Sequence, residues 1–266
     1  MHAHDTIRWS YKKELRSERG AFGVAKLFRM KLGILMLDTT FPRIVGDVGN
    51  RETWTQYDVD FETARGVGVD DAVRTRDPRR YEGPFLEAAQ RLEARGAQLI
   101  TTSCGFLVLL QERLQQSVRV PVLTSSLLQV PWALRAFSPG AKIAIMTFEG
   151  PSLSADHLGA AGIDRSRVVI AGMEGTPFHR TIREDHQQFD AERAREDHLK
   201  VAKRLAAENP GVRAFVFECH NMPPYAAAVR ETTGLPVFDV TTMIGWAAPA
   251  IAAPAGRLQA AGEKRR

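Results

Sequence analysis

Residues 96–122 read GAQLITTSCG, then FLVLLQERLQQSVRV, then PV; residues 211–237 read GVRAFVFECH, then NMPPYAAAVRETTGL, then PV. Gly96, Cys104, Pro121 and Val122 recur as Gly211, Cys219, Pro236 and Val237, all displaced by the same 115 residues. In each copy an apolar run ends at a cysteine, a helical pattern follows, and a second apolar run begins at Pro-Val. These are the only two cysteines of the 266-residue chain. A unit written twice, with one thiol at a strand end in each copy, predicts two similar halves whose thiols face each other across a cleft. That arrangement suits an acid and a base acting on opposite faces of one carbon.

Working outward, a strand is expected from Met30 to Asp38 and a second from 57 to 69, with the glycine-rich loop GDVGN (46–50) between them. A helix over 84–95 starts with Pro84 and is closed by Gly96. Strand 97–102, a helix over about 105–117 and strand 120–123 complete the first half. The cycle restarts at KIAIMT (142–147), which echoes KLGILML (31–37), then helix 152–162, strand 167–172 and an amphipathic helix over 190–208. Strand 212–218, helix 223–233, strand 236–240 and a helix from about 242 close it. Strands alternating with helices predict an α/β fold: two pseudosymmetric three-layer α/β/α domains with mainly parallel sheets and the active site in the cleft between them. The boundaries expected are a first domain of 30–124 plus 240–258 and a second of 125–239.

Composition narrows the class. With 44% hydrophobic and 25% charged residues the chain reads as globular. Its net charge of +5 is concentrated at the start: residues 1–31 carry eight basic and three acidic side chains. Removing them from the 36 basic and 31 acidic residues leaves 28 of each over 32–266. The balance over the body gives no argument for nucleic acid. Residues 1–29 read as a basic arm, disordered or an upstream start before Met30. No run approaches the ~18–20 apolar residues that span a bilayer, and the N-terminus has no apolar signal core. Two cysteines do not make a disulfide framework, so free thiols in the cytoplasm are expected.

In open α/β sheets ligands sit beyond the carboxyl ends of strands. Asp38, Cys104, Thr147 and Cys219 fall at such ends. Both cysteines precede predicted helices, whose positive ends lower a thiol's pKa from about 8.5. Thr102, Ser103 and Thr241, with backbone N–H groups at the helix starts such as that of Gly105, could hold a carboxylate or enolate oxygen. His220 and Asn221 add polar groups beside the second thiol. Asp38 either orients substrate or caps the turn with Thr39 and Thr40. The histidines lack metal-ligand spacing, and no G-x-G-x-x-G, phosphate loop or G-x-S-x-G elbow is present.

TTSCG (101–105) and ECHNMPPY (218–225), set in a duplicated α/β chain, resemble the aspartate/glutamate racemase superfamily, which includes hydantoin racemases, maleate isomerases and arylmalonate decarboxylases. LGILMLDTTFPRIVGDVGN (32–50) is similar to the opening of further members, and the likeness covers about 30–255. The resemblance implies an interdomain cleft, no cofactor, a small carboxylate substrate, and Cys104 and Cys219 as acid and base. It departs from the family's amino-acid racemases, which usually have Cys-Asn-Thr at the first thiol where this chain has Cys104-Gly105-Phe106. The glycine often found before the second thiol is missing too. The decarboxylases need one cysteine, so two favour a cofactor-independent racemase or isomerase of an amino acid or related carboxylate. The alternatives are an arylmalonate-type decarboxylase, a maleate-type isomerase, or a non-catalytic small-ligand binding protein. No nucleic acid or membrane partner is expected, and a homo-oligomer is compatible with everything above.

Overall fold

The computed structural model describes residues 29–75 and 77–252, so expectations for the basic arm over 1–28 and for the tail beyond 252 lie outside the described residues. The first half runs β1 (Lys31–Leu37), β2 (Asp58–Ala64), α1 (Val69–Arg74), α2 (Glu82–Ala94), β3 (Leu99–Thr102), α3 (Gln111–Ser117), β4 (Val122–Leu123) and α4 (Val130–Arg135). The second runs β5 (Lys142–Thr147), α5 (Ala155–Ala160), β6 (Val168–Gly172), α6 (Pro177–Arg183), α7 (Ala191–Glu208), β7 (Val212–Phe217), α8 (Ala226–Thr233), β8 (Val237–Phe238) and α9 (Val240–Ile251). The strands form two separate parallel sheets of the same order, β2-β1-β3-β4 and β6-β5-β7-β8.

The duplication holds at the level of register. Ile100 pairs with Val122 and Phe215 with Val237, so both strands of each pair are displaced by 115 residues. Leu32 pairs with Leu99 and Ile143 with Ala214, which relates β1 to β5 by 111 residues instead. The halves are therefore copies with insertions in their connections, and strand ends occupy matched places.

Packing explains why these residues form these elements. Along β1, Leu32 and Ile34 face one core while Leu35 and Leu37 face another, as the period-2 pleat requires. Helix α2 buries Phe85, Ala88, Ala89 and Leu92, one apolar stripe at helical spacing. Helix α7 starts at Asp190, whose carboxylate accepts from the Arg193 N–H. Helix α8 stops at Gly234, which takes the left-handed conformation at φ 68°. Helix α9 lays Val240, Met243, Ile244, Ala247 and Ala248 against Leu32, Ile34, Val59 and Leu99, so the chain's last described element covers the first sheet. The largest core cluster includes residues of both sheets, and Phe106 packs edge-on against His157 across the halves.

Three local expectations change. The strand expected over 57–69 ends at Ala64, and Val69–Arg74 form α1, where the sequence predicts no helix. The helix expected from 105 opens as a 3₁₀ turn over Gly105–Leu110, whose apolar side chains are buried except Leu109. Helix α6 lies in a stretch where the sequence predicts no element.

Candidate active site

Cys104 follows β3 and Cys219 follows β7, at the carboxyl ends of corresponding central strands. Both thiols are free and line a single cavity between the sheets. Leu37, Phe41, Val69, Phe106, Phe148 and Ile182 give it apolar walls, and Arg43, Ser103, Glu218 and Asn221 add its polar groups. Its volume is about 330 Å³. This is a slot, suited to a small, thin ligand.

The loop after β1 closes one side. Asp185, following α6 in the left-handed region at φ 51°, accepts hydrogen bonds from the Thr40 and Phe41 N–H groups at 2.7 and 2.6 Å. A second tie joins Arg74 to Glu149 at 2.5 Å. These bonds hold Phe41 from one half and Ile182 from the other against the cavity.

The thiols occupy equivalent places in different surroundings. Cys104 is half-buried and precedes the 3₁₀ turn, whose Leu107 N–H donates to the Cys104 carbonyl at 3.2 Å and whose first N–H groups, of Phe106 and Leu107, favour an anionic sulfur. Cys219 is buried, and its Sγ lies 3.5 Å from Asn221 Oδ1. Asn221 Nδ2 donates to Asp47 Oδ2 at 2.8 Å, which fixes the amide so that its oxygen faces the thiol as acceptor. Asp47 in turn accepts from Arg43 Nη1 at 3.0 Å and from the Gly49 N–H at 2.8 Å. The glycine-rich loop thus connects a cavity-lining guanidinium to the second thiol.

Burial pushes both thiols up, and the neighbouring Glu218 charge adds to it. The N–H groups of Phe106 and Leu107 and the Arg43 charge pull Cys104 the other way without prevailing, as the Asn221 N–H does for Cys219. Proximity to a helix start, from which a lowered pKa is expected, is outweighed here by desolvation. Glu218 is fully buried. Burial lifts its carboxyl to about 7, against bonds from Thr147 Oγ1 at 2.7 Å and the Phe148 N–H at 3.2 Å that favour its charged form.

Of the residues singled out in the sequence, the cavity brings together Cys104, Cys219, Ser103 and Asn221. Ser103 Oγ accepts from the Leu37 N–H at 2.9 Å. Gly105 stands behind the cavity, where a Cβ would run into the carbonyl and carboxylate of Glu218. Thr147 reaches the site only through Glu218. Thr102 is a buried strand end whose Oγ1 donates to the Thr124 carbonyl at 2.7 Å. His220 points away from the slot: its Nδ1 lies 2.7 Å from the Thr102 carbonyl and its Nε2 accepts from the Ser126 N–H at 3.2 Å, a neutral strut between the halves. Thr241 caps α9 through Asp239 at 2.6 Å. Asp38 is exposed and accepts from the Gly66 N–H at 2.9 Å.

Arg43, Asp47 and Glu218 are cavity or supporting groups that motif reasoning passes over. Their signals are present: an acidic residue closing the apolar strand VRAFVF, an arginine just before the glycine-rich loop and an aspartate within it. Among the described residues no group of three His, Cys, Asp or Glu is placed to hold a metal ion, and no helix is long and apolar enough to cross a membrane. A larger groove of about 660 Å³, lined by Leu128, Trp132, Phe238, Met243 and Trp246 among others, carries no titratable side chain, and a third of about 840 Å³ carries Glu174, Arg193, Asp197, Lys200 and Arg204 but neither thiol.

No family model matches the chain. It is 30% identical over 220 residues to dimethylsulfoniopropionate lyase 7 of Emiliania huxleyi (strain CCMP1516), covering 79% of this chain and 64% of that protein. It is 33% identical over 222 residues to lyase 3 of the same strain, covering 79% and 57%. The chain therefore spans about three fifths of the length of these relatives. Among solved structures it is similar to a variant of arylmalonate decarboxylase (TM-score 0.57, 13% identity, 83% of this chain and 92% of that one). Allantoin racemase from Pseudomonas fluorescens (0.54, 16%, 89% and 99%) and glutamate racemase from Aquifex pyrophilus (0.51, 20%, 84% and 84%) are similar too. These relatives and neighbours are named as enzymes, but the sequence relatives are lyases, an activity that neither the racemase expectation nor its alternatives include. Two matched parallel sheets, one thiol at the end of a central strand in each, and these neighbours together establish that the chain has the fold of the aspartate/glutamate racemase superfamily.

Proposed function

We propose that the chain is an enzyme that removes the α-proton of a small carboxylate bearing a β-sulfonio group, as in dimethylsulfoniopropionate, so that proton removal ends in elimination. Cys104 is the base. As its thiolate takes the α-proton, the electrons of the C–H bond form the carbon–carbon double bond and the β-carbon–sulfur bond breaks. Its electron pair leaves with sulfur as neutral dimethyl sulfide, acrylate remains, and the proton on Cys104 passes to solvent before the next turnover.

The observation that carries this reading is the unequal surroundings of two thiols in one slot: two backbone N–H groups favour the anion at Cys104, whereas Cys219 has one such group, that of Asn221, and also faces the Asn221 side-chain oxygen. The Phe106 and Leu107 N–H groups suit an anionic sulfur at Cys104, whereas the Asn221 side-chain oxygen suits a protonated sulfur at Cys219. Elimination needs one base, and the asymmetry supplies one. Arg43 spends two of its five N–H donors on Asp47 and Thr39, leaving others for the substrate carboxylate. Both thiols are raised by burial, so a cationic substrate entering beside Cys104 would itself favour the thiolate. On this reading residues 30–124, completed by the C-terminal helix, and residues 125–239 form two lobes that present the thiols from opposite walls.

A second reading, two-thiol racemisation or isomerisation, is favoured by the fact that Cys219 lines the same slot. Proton NMR in D2O separates them. Elimination predicts vinyl signals of acrylate and loss of the S-methyl resonance from dimethylsulfoniopropionate. Deuterium entering the α-position of amino acids or hydantoins, with the sulfonio substrate untouched, would overturn it.

A further inference from the structure

Glu218 has a counterpart in the other half that does the same structural work with less. Displacement by 115 residues relates Ser103 to Glu218, and displacement by 111 relates Leu37 to Phe148. Ser103 Oγ accepts from the Leu37 N–H; Glu218 Oε2 accepts from the Phe148 N–H. The backbone agrees: the Ser103 N–H donates to the Leu35 carbonyl and the Glu218 N–H to the Met146 carbonyl, both at 2.8 Å. One neutral hydroxyl satisfies the strand end in the first half. In the second half a carboxylate holds that position with one oxygen and has another to spare.

That other oxygen, Oε1, is buried and has no hydrogen-bond partner among the described residues. No described cation lies within ion-pair distance of Glu218, although the residue lines the cavity with both thiols. A buried carboxylate oxygen left this way is costly unless a ligand pairs with it. Two donors already converge on Oε2, which favours the charged form of the group. Gly105 leaves room on that side: any side chain there would collide with the Glu218 carbonyl and with Oε1. Arg43 already offers a cation for a carboxylate, while the ring of Phe148 and the aliphatic walls suit methyl groups.

We infer that Glu218 is the partner of the substrate's positive charge: Oε1 pairs with an onium centre at the β-carbon, so that the slot selects zwitterions with a carboxylate at the Arg43 end and a methylated cation at the Glu218 end. This rests on the elimination reading and adds to it the residue that selects the leaving group. The departure of neutral dimethyl sulfide removes the charge Glu218 holds, so the same carboxylate that favours substrate does not retain product.

The test is binding, measured by calorimetry on the full chain with two ligands of one shape. 3-(Trimethylammonio)propanoate carries the cation on a far poorer leaving group, and 4,4-dimethylpentanoate is its neutral isostere. The protein should bind the first about ten- to hundred-fold more tightly, the range expected for a hydrogen-bonded charge. Glu218→Gln should bring the two within about threefold of each other, leaving the neutral ligand unchanged. Glu218→Ser, which copies the Ser103 arrangement, should do the same and guards against misfolding of the first variant. A preference that survives in both variants, or equal weakening of both ligands, overturns the assignment; equal weakening would mean that the carboxyl serves the ligand carboxylate or the fold. If the preference depends on Glu218 but dimethylsulfoniopropionate is not consumed, the elimination reading fails while the assignment stands. If dimethylsulfoniopropionate is consumed but the preference is unaltered in the variants, the assignment fails while the elimination reading stands.

Discussion

The two thiols differ more than the two halves that carry them. Sheet order is the same and the strand pairs β3–β4 and β7–β8 share one register, yet position 105 is glycine where 220 is histidine, and position 103 is serine where 218 is glutamate. Every one of these differences lies within two residues of a cysteine. Gly105 lies against residue 218, whose main-chain carbonyl and carboxylate together occupy the space that a side chain at 105 would need. His220 is free to be large and uses both ring nitrogens to join the halves. A duplicated scaffold supplies two equivalent strand ends; on the proposed reading, local substitution then makes one thiol a base and leaves the other protonated.

The largest effect should come from breaking the two thiols separately. Cys104→Ala should lower dimethyl sulfide release by about a thousandfold, within the range for loss of a general base. Cys219→Ala should cost about tenfold, through the Asn221 network that it anchors. Gas chromatography of the headspace reads both. Equal losses would restore a symmetric two-base mechanism.

Gly105→Ala comes next. It should displace the Glu218 carboxylate from the cavity wall and reduce turnover by about a hundredfold, the scale of a misplacement near 1 Å. The accompanying overpacking should cost about 1–3 kcal/mol in a denaturant titration. Activity unchanged by the extra methyl would mean that the close approach is incidental.

The smallest effect concerns pH. The Glu218 carboxyl is raised to about 7 in the folded protein from an ordinary 4.5, so the folded state holds its proton more tightly. Its contribution to stability is full below 4.5 and is lost as the pH rises through 7, by about 3 kcal/mol. Glu218→Ser should flatten that part of the stability profile, as at the Ser103 end, where no such group titrates. His220 works in the opposite direction: burial lowers it to about 4, so its contribution is present above 6.5 and lost as the pH falls toward 4. A profile with the same slope in the Glu218→Ser variant would show that the carboxyl does not titrate in this window.

The doubling was legible in the sequence because glycine, proline and cysteine mark the ends of strands, and these survived at one spacing in both copies. The first strand of each half was legible only as an echo, since it is related by 111 residues and carries no punctuating residue. Asp38, Thr102 and Thr241 looked functional because hydroxyl and carboxylate groups gather at strand ends. The structure spends them on the backbone instead: the Gly66 N–H, the Thr124 carbonyl and the start of α9. Glu218 was hidden for the opposite reason. Beside a cysteine it reads as one more polar residue, and only its burial and unpartnered oxygen distinguish it.

Removal of an α-proton in the thiol-lined slot, with expulsion of a β-sulfonio group, is tested most directly by competition. Ordinary dimethylsulfoniopropionate competes against its α-deuterated form while dimethyl sulfide and acrylate are followed together. Equal amounts of the two products, slower release from the deuterated substrate, and loss of both products in Cys104→Ala are predicted. Release that does not require Cys104, or no release from a protein that instead exchanges α-protons of other carboxylates, would contradict elimination by this thiol.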